Sequence, residues 1–229
     1  MPAFLKDYSD FIGDGSTNNK GETLDAFLEA YDASLYQQPS VTGDVLIFTY
    51  DELKKDASWK VLLVKRSNHP CIGYWACPGG FAEMNEDLDN AARRELDEET
   101  GVKGLPLEQV AAYGNMDRDP RTHIITALYM SAIKEDFLNF KAADDAADAL
   151  LFDIDLQSEM VDHDEWVVTI HHLTLTNNKH QLTLKADVEE KLHRGIIKEH
   201  HFKVLNRELI GMDHAAMIVQ CYLRLMSRL

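Results

Sequence analysis

Residues 80–102 read GFAEMNEDLDNAARRELDEETGV, and the glutamates Glu95, Glu98 and Glu99 within that run constrain the fold more than any other feature of the chain. Leu88, Ala91, Ala92 and Leu96 recur at helical spacing, and Gly101 stands where a helix C-cap is expected. Glu98 and Glu99 follow Glu95 by three and four positions, so the three carboxylates share one helix face. Like charges so placed repel by roughly a few tenths of a kcal/mol per pair, a cost removed when a hard divalent cation sits among them. Oxygen-only ligands point to magnesium, with manganese as a substitute. Gly79 and Gly80, just ahead of the helix, allow backbone conformations closed to other residues and bring a carbonyl near it. Arg94 is placed to hold one oxygen of Glu95, and Glu86 to anchor Arg94 or the loop.

Around this helix the pattern alternates. Residues 41–50 and 60–65 are rich in β-branched and aromatic side chains and read as strands, residues 74–77 as a third short one, and residues 107–113 and 124–133 as two more. The order predicts an α/β fold with a mixed sheet. Residues 166–185 carry two alternating runs about Asn177 and Asn178, which predicts a hairpin. A short helix is expected over 188–192 and a longer one over 213–229. Residues 1–39 read as a separate N-terminal extension: a Gly/Ser/Asn-rich stretch, then an amphipathic helix over 23–36 ended by Pro39. Residues 40–229 form the main domain, elaborated around 160–210. Phe27 and Tyr31 offer a contact surface or, more simply, a face packed on their own domain.

The chain carries 39 Asp plus Glu against 23 Lys plus Arg, a formal net charge of -16, which makes it a poor match for nucleic acid. A phosphorylated substrate would need a cation as mediator. No apolar run approaches the ~20 residues of a membrane span, and residues 1–10 lack the features of an export signal. Cys71, Cys77 and Cys221 make no paired framework, which fits a reducing compartment and predicts a cytoplasmic protein without membrane contact. His171, His172, His200 and His201 stand in adjacent pairs; neighbours on a strand point to opposite faces and do not readily share an ion.

The run from Gly80 to Val102 resembles the Nudix box, G-x5-E-x7-R-E-U-x-E-E-x-G-U with U aliphatic, at every fixed position. The resemblance implies a Nudix α/β/α sandwich and hydrolysis of a nucleoside diphosphate linked to another moiety. It implies metal ligation by Glu95, Glu98, Glu99 and the carbonyl of Gly79. It also implies catalytic roles for Arg94, Glu98 and Glu99, with the general base taken either from the box or from a later loop, where Asp144, Asp145 and Asp148 stand. Two further stretches, VLLVKRSNHPCIGYWACPGGFAE and DRDPRTHIITALYM, resemble the ADP-ribose pyrophosphatase-like branch, whose members are often homodimers. There Arg118 and Arg121 would hold phosphate or ribose oxygens, or else one of them would pair with Asp117 or Asp119. One of Tyr74, Trp75 and Phe81 would stack on a base, unless these rings are core, and Arg66 and His69 would contact substrate. ADP-ribose or a similar nucleotide sugar is the expected substrate, yielding AMP or another nucleoside monophosphate and a sugar phosphate. NADH, diadenosine polyphosphates and coenzyme A compounds stay open. The same branch holds ligand-sensing transcriptional regulators with a winged helix, and non-catalytic binding modules form a third class. The complete box, and the resemblance of residues 210–229 to the closing helix of the Nudix domain with no residues left for a winged helix, favour an enzyme.

Overall fold

The computed structural model describes residues 4–141, 149–162 and 165–229, so Asp144, Asp145 and Asp148 lie outside the described residues. The chain divides into two compact units, Met1–Gln38 and Pro39–Leu229. In the first, helix α1 (Leu24–Ala30) is capped by Thr23, whose side chain accepts from the Ala26 amide. It is shorter than the expected 23–36. Tyr31 turns extended, and the Asp32 carboxylate accepts the Ser34 amide at 2.9 Å, starting a separate 3-10 turn at Ala33–Leu35. A short polar side chain that captures a nearby amide competes with helix continuation. Phe27 and Tyr31 are exposed.

The second unit is built on a mixed sheet. Strand β1 (Ser40–Tyr50) runs antiparallel to β2 (Trp59–Lys65) and parallel to β6 (Ile124–Lys134), which carries β5 (Glu108–Tyr113) at the edge. On the other side of β2 follow β7 (Ala149–Asp162), β8 (Trp166–Asn177), β9 (Leu182–His193) and β10 (His200–Glu208). Two short strands complete the sheet, β3 (Trp75–Ala76) on β2 and β4 (Gly79–Phe81) on the start of β1. Helices α2 (Leu88–Thr100) and α3 (His214–Met226) supply the remaining layers.

Alternation along β1 sorts its side chains between two cores. Val45 and Ile47 join Ala92 and Leu96 of α2, while Leu46 and Phe48 join the cluster containing Ala215 to Val219 of α3. A strand covered on both faces reads as a continuous apolar run, as residues 45–48 do. Gly43 lets α2 approach closely, since a Cβ there would sit 3.2 Å from the Ala92 Cβ. That approach fixes where the glutamate face of α2 lies.

The hairpin about Asn177 and Asn178 is present as β8 and β9. The expected helix over 188–192 is a correction: those residues belong to β9, and β10, unforeseen from sequence, pairs with them. Val188 and Leu192 have helical spacing, but they also continue the two-residue period of Leu182, Leu184 and Ala186, and pairing with β8 and β10 decides for strand. His171 and His172 face opposite ways as expected, the first towards Ser158 and Glu190, the second towards Asp187. The three cysteines are free thiols, and among the described residues no helix is long and apolar enough to cross a membrane.

Strand β7 shares the α3-side core: Phe152 is fully buried and meets the Trp75 ring edge-on at 4.9 Å. Phe152→Ala is therefore expected to cost roughly 3–5 kcal/mol in urea unfolding, whereas a loss below about 1 kcal/mol would show that β7 is not bound into that core.

Candidate active site

The site forms where the turn before β4 meets the glutamate face of α2. The Gly79 amide donates to Glu99 Oε2 at 2.9 Å. A side chain on Gly79 would strike backbone, and one on Gly80 would displace the Glu95 carboxylate. A Cβ on Gly79 would stand 2.5 Å from Asp44 Oδ1, and one on Gly80 would stand 2.3 Å from Glu95 Oε2. Helix α2 ends as its sequence requires, with Gly101 at φ 72° and its amide bonded to the Asp97 carbonyl.

Arg94 organises the outer part of this face. Its guanidinium donates to Glu95 at 2.7 Å, to Glu98 at 3.2 Å, to Glu86 at 2.5 Å and 3.2 Å, and to the Phe81 carbonyl at 3.0 Å. Glu86 also accepts the Glu83 amide, so it anchors both Arg94 and the loop. These bonds hold the Arg94 pKa above its ordinary value. Glu95 is pushed up by burial, offset by Arg94. Glu99 is pushed up to about 7 by burial, with the Gly79 amide only partly compensating. Asp44, buried behind Gly79, is likewise pushed up to about 7 by burial.

Among the described residues no three His, Cys, Asp or Glu side chains stand in a ready-made metal cluster. The reason is visible in the bonding: Glu95 and Glu98 turn towards Arg94 while Glu99 turns towards the glycine amide. The donor chemistry still fits a hard dication, because every candidate side-chain donor is oxygen and, among the described residues, the desolvated Glu99 has no direct ion pair.

The sequence-derived candidates separate in space. Arg118 is almost fully buried and grips Asp213 bidentately at 2.8 Å and 2.9 Å, a partner outside the expected Asp117 and Asp119. Its remaining arm reaches Thr126 Oγ1 at 2.7 Å, which bonds Thr42 at 2.6 Å. Arg121 pairs with Asp119 at 2.8 Å and 3.0 Å and lies over the Phe81 ring, 5.3 Å from its centroid. Phe81 and Tyr74 are exposed, whereas Trp75 is 3% exposed and belongs to the core. Arg66 holds the Pro70 carbonyl at 2.6 Å and is close enough to Asp44 and Glu99 to favour their charged forms.

Sequence reasoning missed Asp44, Asp213 and His214. Asp44 had a signal, a lone carboxylate inside an apolar strand. His214 had none: its buried Nδ1 accepts the Cys77 amide at 2.8 Å, two residues before Gly79. Burial pushes its pKa down to about 4, so the ring is neutral near pH 7, and Nε2 carries the proton without a partner among the described residues. Residues 209–211 bind the same strand, with the Trp75 amide donating to Leu209 and the Gly211 amide to Trp75, each at 2.8 Å.

Residues 42–184 match the family model described as NUDIX domain. The chain is 38% identical over 132 residues to the ADP-ribose pyrophosphatase of Methanocaldococcus jannaschii, covering 57% of this chain and 72% of that protein. It is 39% identical over 152 residues to the ADPR responsive transcriptional repressor NtrR of Acinetobacter baylyi, covering 66% of this chain but only 53% of the repressor. Among solved structures, a MutT/nudix family protein from Enterococcus faecalis superposes with a TM-score of 0.64 at 28% identity, over 90% of this chain and 70% of that one.

Replacing His214 by Leu strands the Cys77 amide and is expected to cost about 1–3 kcal/mol of stability. His214→Asn, whose Oδ1 can accept the same bond, is expected to recover most of that loss; equal losses in urea unfolding would contradict the assigned bond.

Proposed function

This chain belongs to the Nudix family, and from that membership and the site's geometry we propose that it hydrolyses the pyrophosphate bond of ADP-ribose or a similar nucleotide sugar with magnesium, releasing AMP and a sugar phosphate. The observation that carries the reading is the Glu99 carboxylate, desolvated against the Gly79 amide on the shared face of α2 with Asp44 behind it. With a pKa pushed up to about 7, each carboxyl is poised between its protonated and charged forms at neutral pH, and a dication would displace the proton. The ADP-ribose pyrophosphatase named above supports the substrate class.

Glu95, Glu98, Glu99 and the Gly79 carbonyl would hold the metal, with manganese as a substitute. Bound magnesium would neutralise the diphosphate and lower the pKa of the attacking water. The protein's own part is positional. The glycine turn orients Glu99, and Arg94, itself fixed by Glu86, orients Glu95. Arg121 over Phe81, with Tyr74 and Arg66, would bind the nucleotide. Arg118 would act by holding the 114–121 loop to Asp213, since its guanidinium is already committed. The general base comes from the box glutamates or from Asp144, Asp145 or Asp148.

A second reading, an ADP-ribose-responsive regulator, is favoured by the identity to the Acinetobacter repressor and leaves nucleic-acid binding an open part of the proposal. Turnover separates the two. The unaltered protein is expected to release AMP from ADP-ribose with magnesium and to stop with chelator, and Glu99→Gln to lose at least about 100-fold in kcat. Tight ligand binding without turnover would favour the regulator. Light scattering tests the homodimer.

The carboxyl shifts give a second test. Glu99 and Asp44 have raised folded-state pKa values, so their contribution to stability is fully present below the unfolded value near ~4 and is lost as pH rises through about 7. A dication at the site offsets the charge that appears over that window. Magnesium is therefore expected to raise Tm more at pH 8 than at pH 5, and an equal rise at both would contradict metal binding by these groups.

A further inference from the structure

The sheet is open, and its two end strands are each paired on one side only, β10 with β9 and β5 with β6. Among the described residues, the backbone of 200–204 and of 111–113 makes no hydrogen bond outside those ladders. Each end therefore presents a row of unpaired N–H and C=O groups. Helix α3 lies between them: Gln220 accepts the Tyr113 hydroxyl of β5 at 2.8 Å, while Phe202 and Val204 of β10 pack against the core that holds Ala215 to Val219. The sheet thus bends round α3, and both of its ends border one cavity of about 750 Å³.

Consecutive residues line this cavity from both strands, 200–204 of β10 and 111–113 of β5. Neighbours on a strand point to opposite faces, so an unbroken run meets the cavity with its backbone edge. Register shifts mark the limits of the regular edges, between Val204 and Asn206 on β10 and between Gln109 and Ala111 on β5. At ~3.3 Å per residue, ~4.8 Å between strands and ~10 Å through a layer, an added strand takes about 160 Å³ per residue, so the cavity suits about five residues. Residues 200–204 offer an edge of that length.

A row of alternating donors and acceptors is satisfied by another extended backbone, as in strand addition to an exposed sheet edge. An added strand sends its side chains alternately to the two faces, and β10 carries a cation on each: Lys203 opposite Glu189, and Arg207 opposite Ala186. The acids nearby are largely engaged. Glu189 pairs with Lys191 at 3.1 Å, Glu190 with His171 and His200, and Asp213 with Arg118, whereas Lys203 has no ion pair among the described residues. We propose that the cavity is a docking groove for an extended acidic segment of a partner protein, which adds as a strand to the β10 edge in the gap before β5. Main-chain hydrogen bonds hold the segment, and the cations on both faces select carboxylate side chains although the chain as a whole carries -16. The groove contains no residue of the glycine turn or of the glutamate face of α2, so this inference stands apart from the hydrolase reading.

The test is hydrogen–deuterium exchange and fluorescence anisotropy on the full chain, with end-blocked peptides of about six residues that alternate glutamate with valine, threonine or phenylalanine. Alternate amides within residues 200–204 are expected to exchange at least about tenfold more slowly when such a peptide is bound. Lysine in place of glutamate, or N-methylation of every second peptide amide in at least one of the two registers, should each weaken binding by about tenfold or more. Lys203→Glu, at an exposed position, should narrow the difference between acidic and basic peptides. Equal affinity for acidic and basic peptides, binding that survives N-methylation in both registers, or no protection of β10 by any acidic peptide at about millimolar concentration overturns the proposal. Protection of the same amides that grows with protein concentration alone would assign the gap to a second copy of this chain and overturn the partner segment.

Discussion

The hydrogen bond from the Gly79 amide to Glu99 joins the two halves of the site, and most of the local architecture is arranged so that it can form. The turn and the helix come this close because Gly79 and Gly80 present no side chain to Asp44 and Glu95, and because Gly43 lets α2 settle on β1 through Ala92. The proximity has a cost. A carboxylate removed from water, with the Gly79 amide and the nearby Arg66 compensating only in part, holds its proton more tightly, as the shift of Glu99 records. The surrounding fold tolerates that tension, and in the proposed reading a cation would relieve it.

The same turn is braced from the far end of the chain. Asp213 and His214, at the start of α3, take hold of the 114–121 loop through Arg118 and of the glycine turn through the Cys77 amide. Leu209 and Gly211 complete the attachment by bonding Trp75. The elaborated strands β8, β9 and β10 thus do more than extend the sheet. They deliver the bracing segment to the site.

What could be read from the residues follows from how local each interaction is. The glutamate face of α2, its Gly101 cap and the Arg94 link to Glu95 are set within a few residues, and helical geometry alone places them. The mixed sheet and the β8–β9 hairpin were legible in the alternation of their side chains. Residues 188–192 were not, because Val188 and Leu192 satisfy both periods and only the neighbouring strands choose between them. Arg118 illustrates the other limit: its partner Asp213 lies 95 residues away, while nearer aspartates looked equally suitable. Trp75 shows the same ambiguity, since an aromatic ring beside a functional turn suits a ligand or a core, and here Phe152 claims it.

In the proposed enzyme the glycine turn and α2 together would seat a dication. Anomalous diffraction from crystals grown with manganese locates such an ion directly. A single strong peak bounded by Glu95, Glu99 and the Gly79 carbonyl, with the contacts of Arg94 to Glu95 and Glu98 loosened, is the predicted result. Density elsewhere, or an unchanged Arg94 network with no peak in the cradle at saturating manganese, would contradict it.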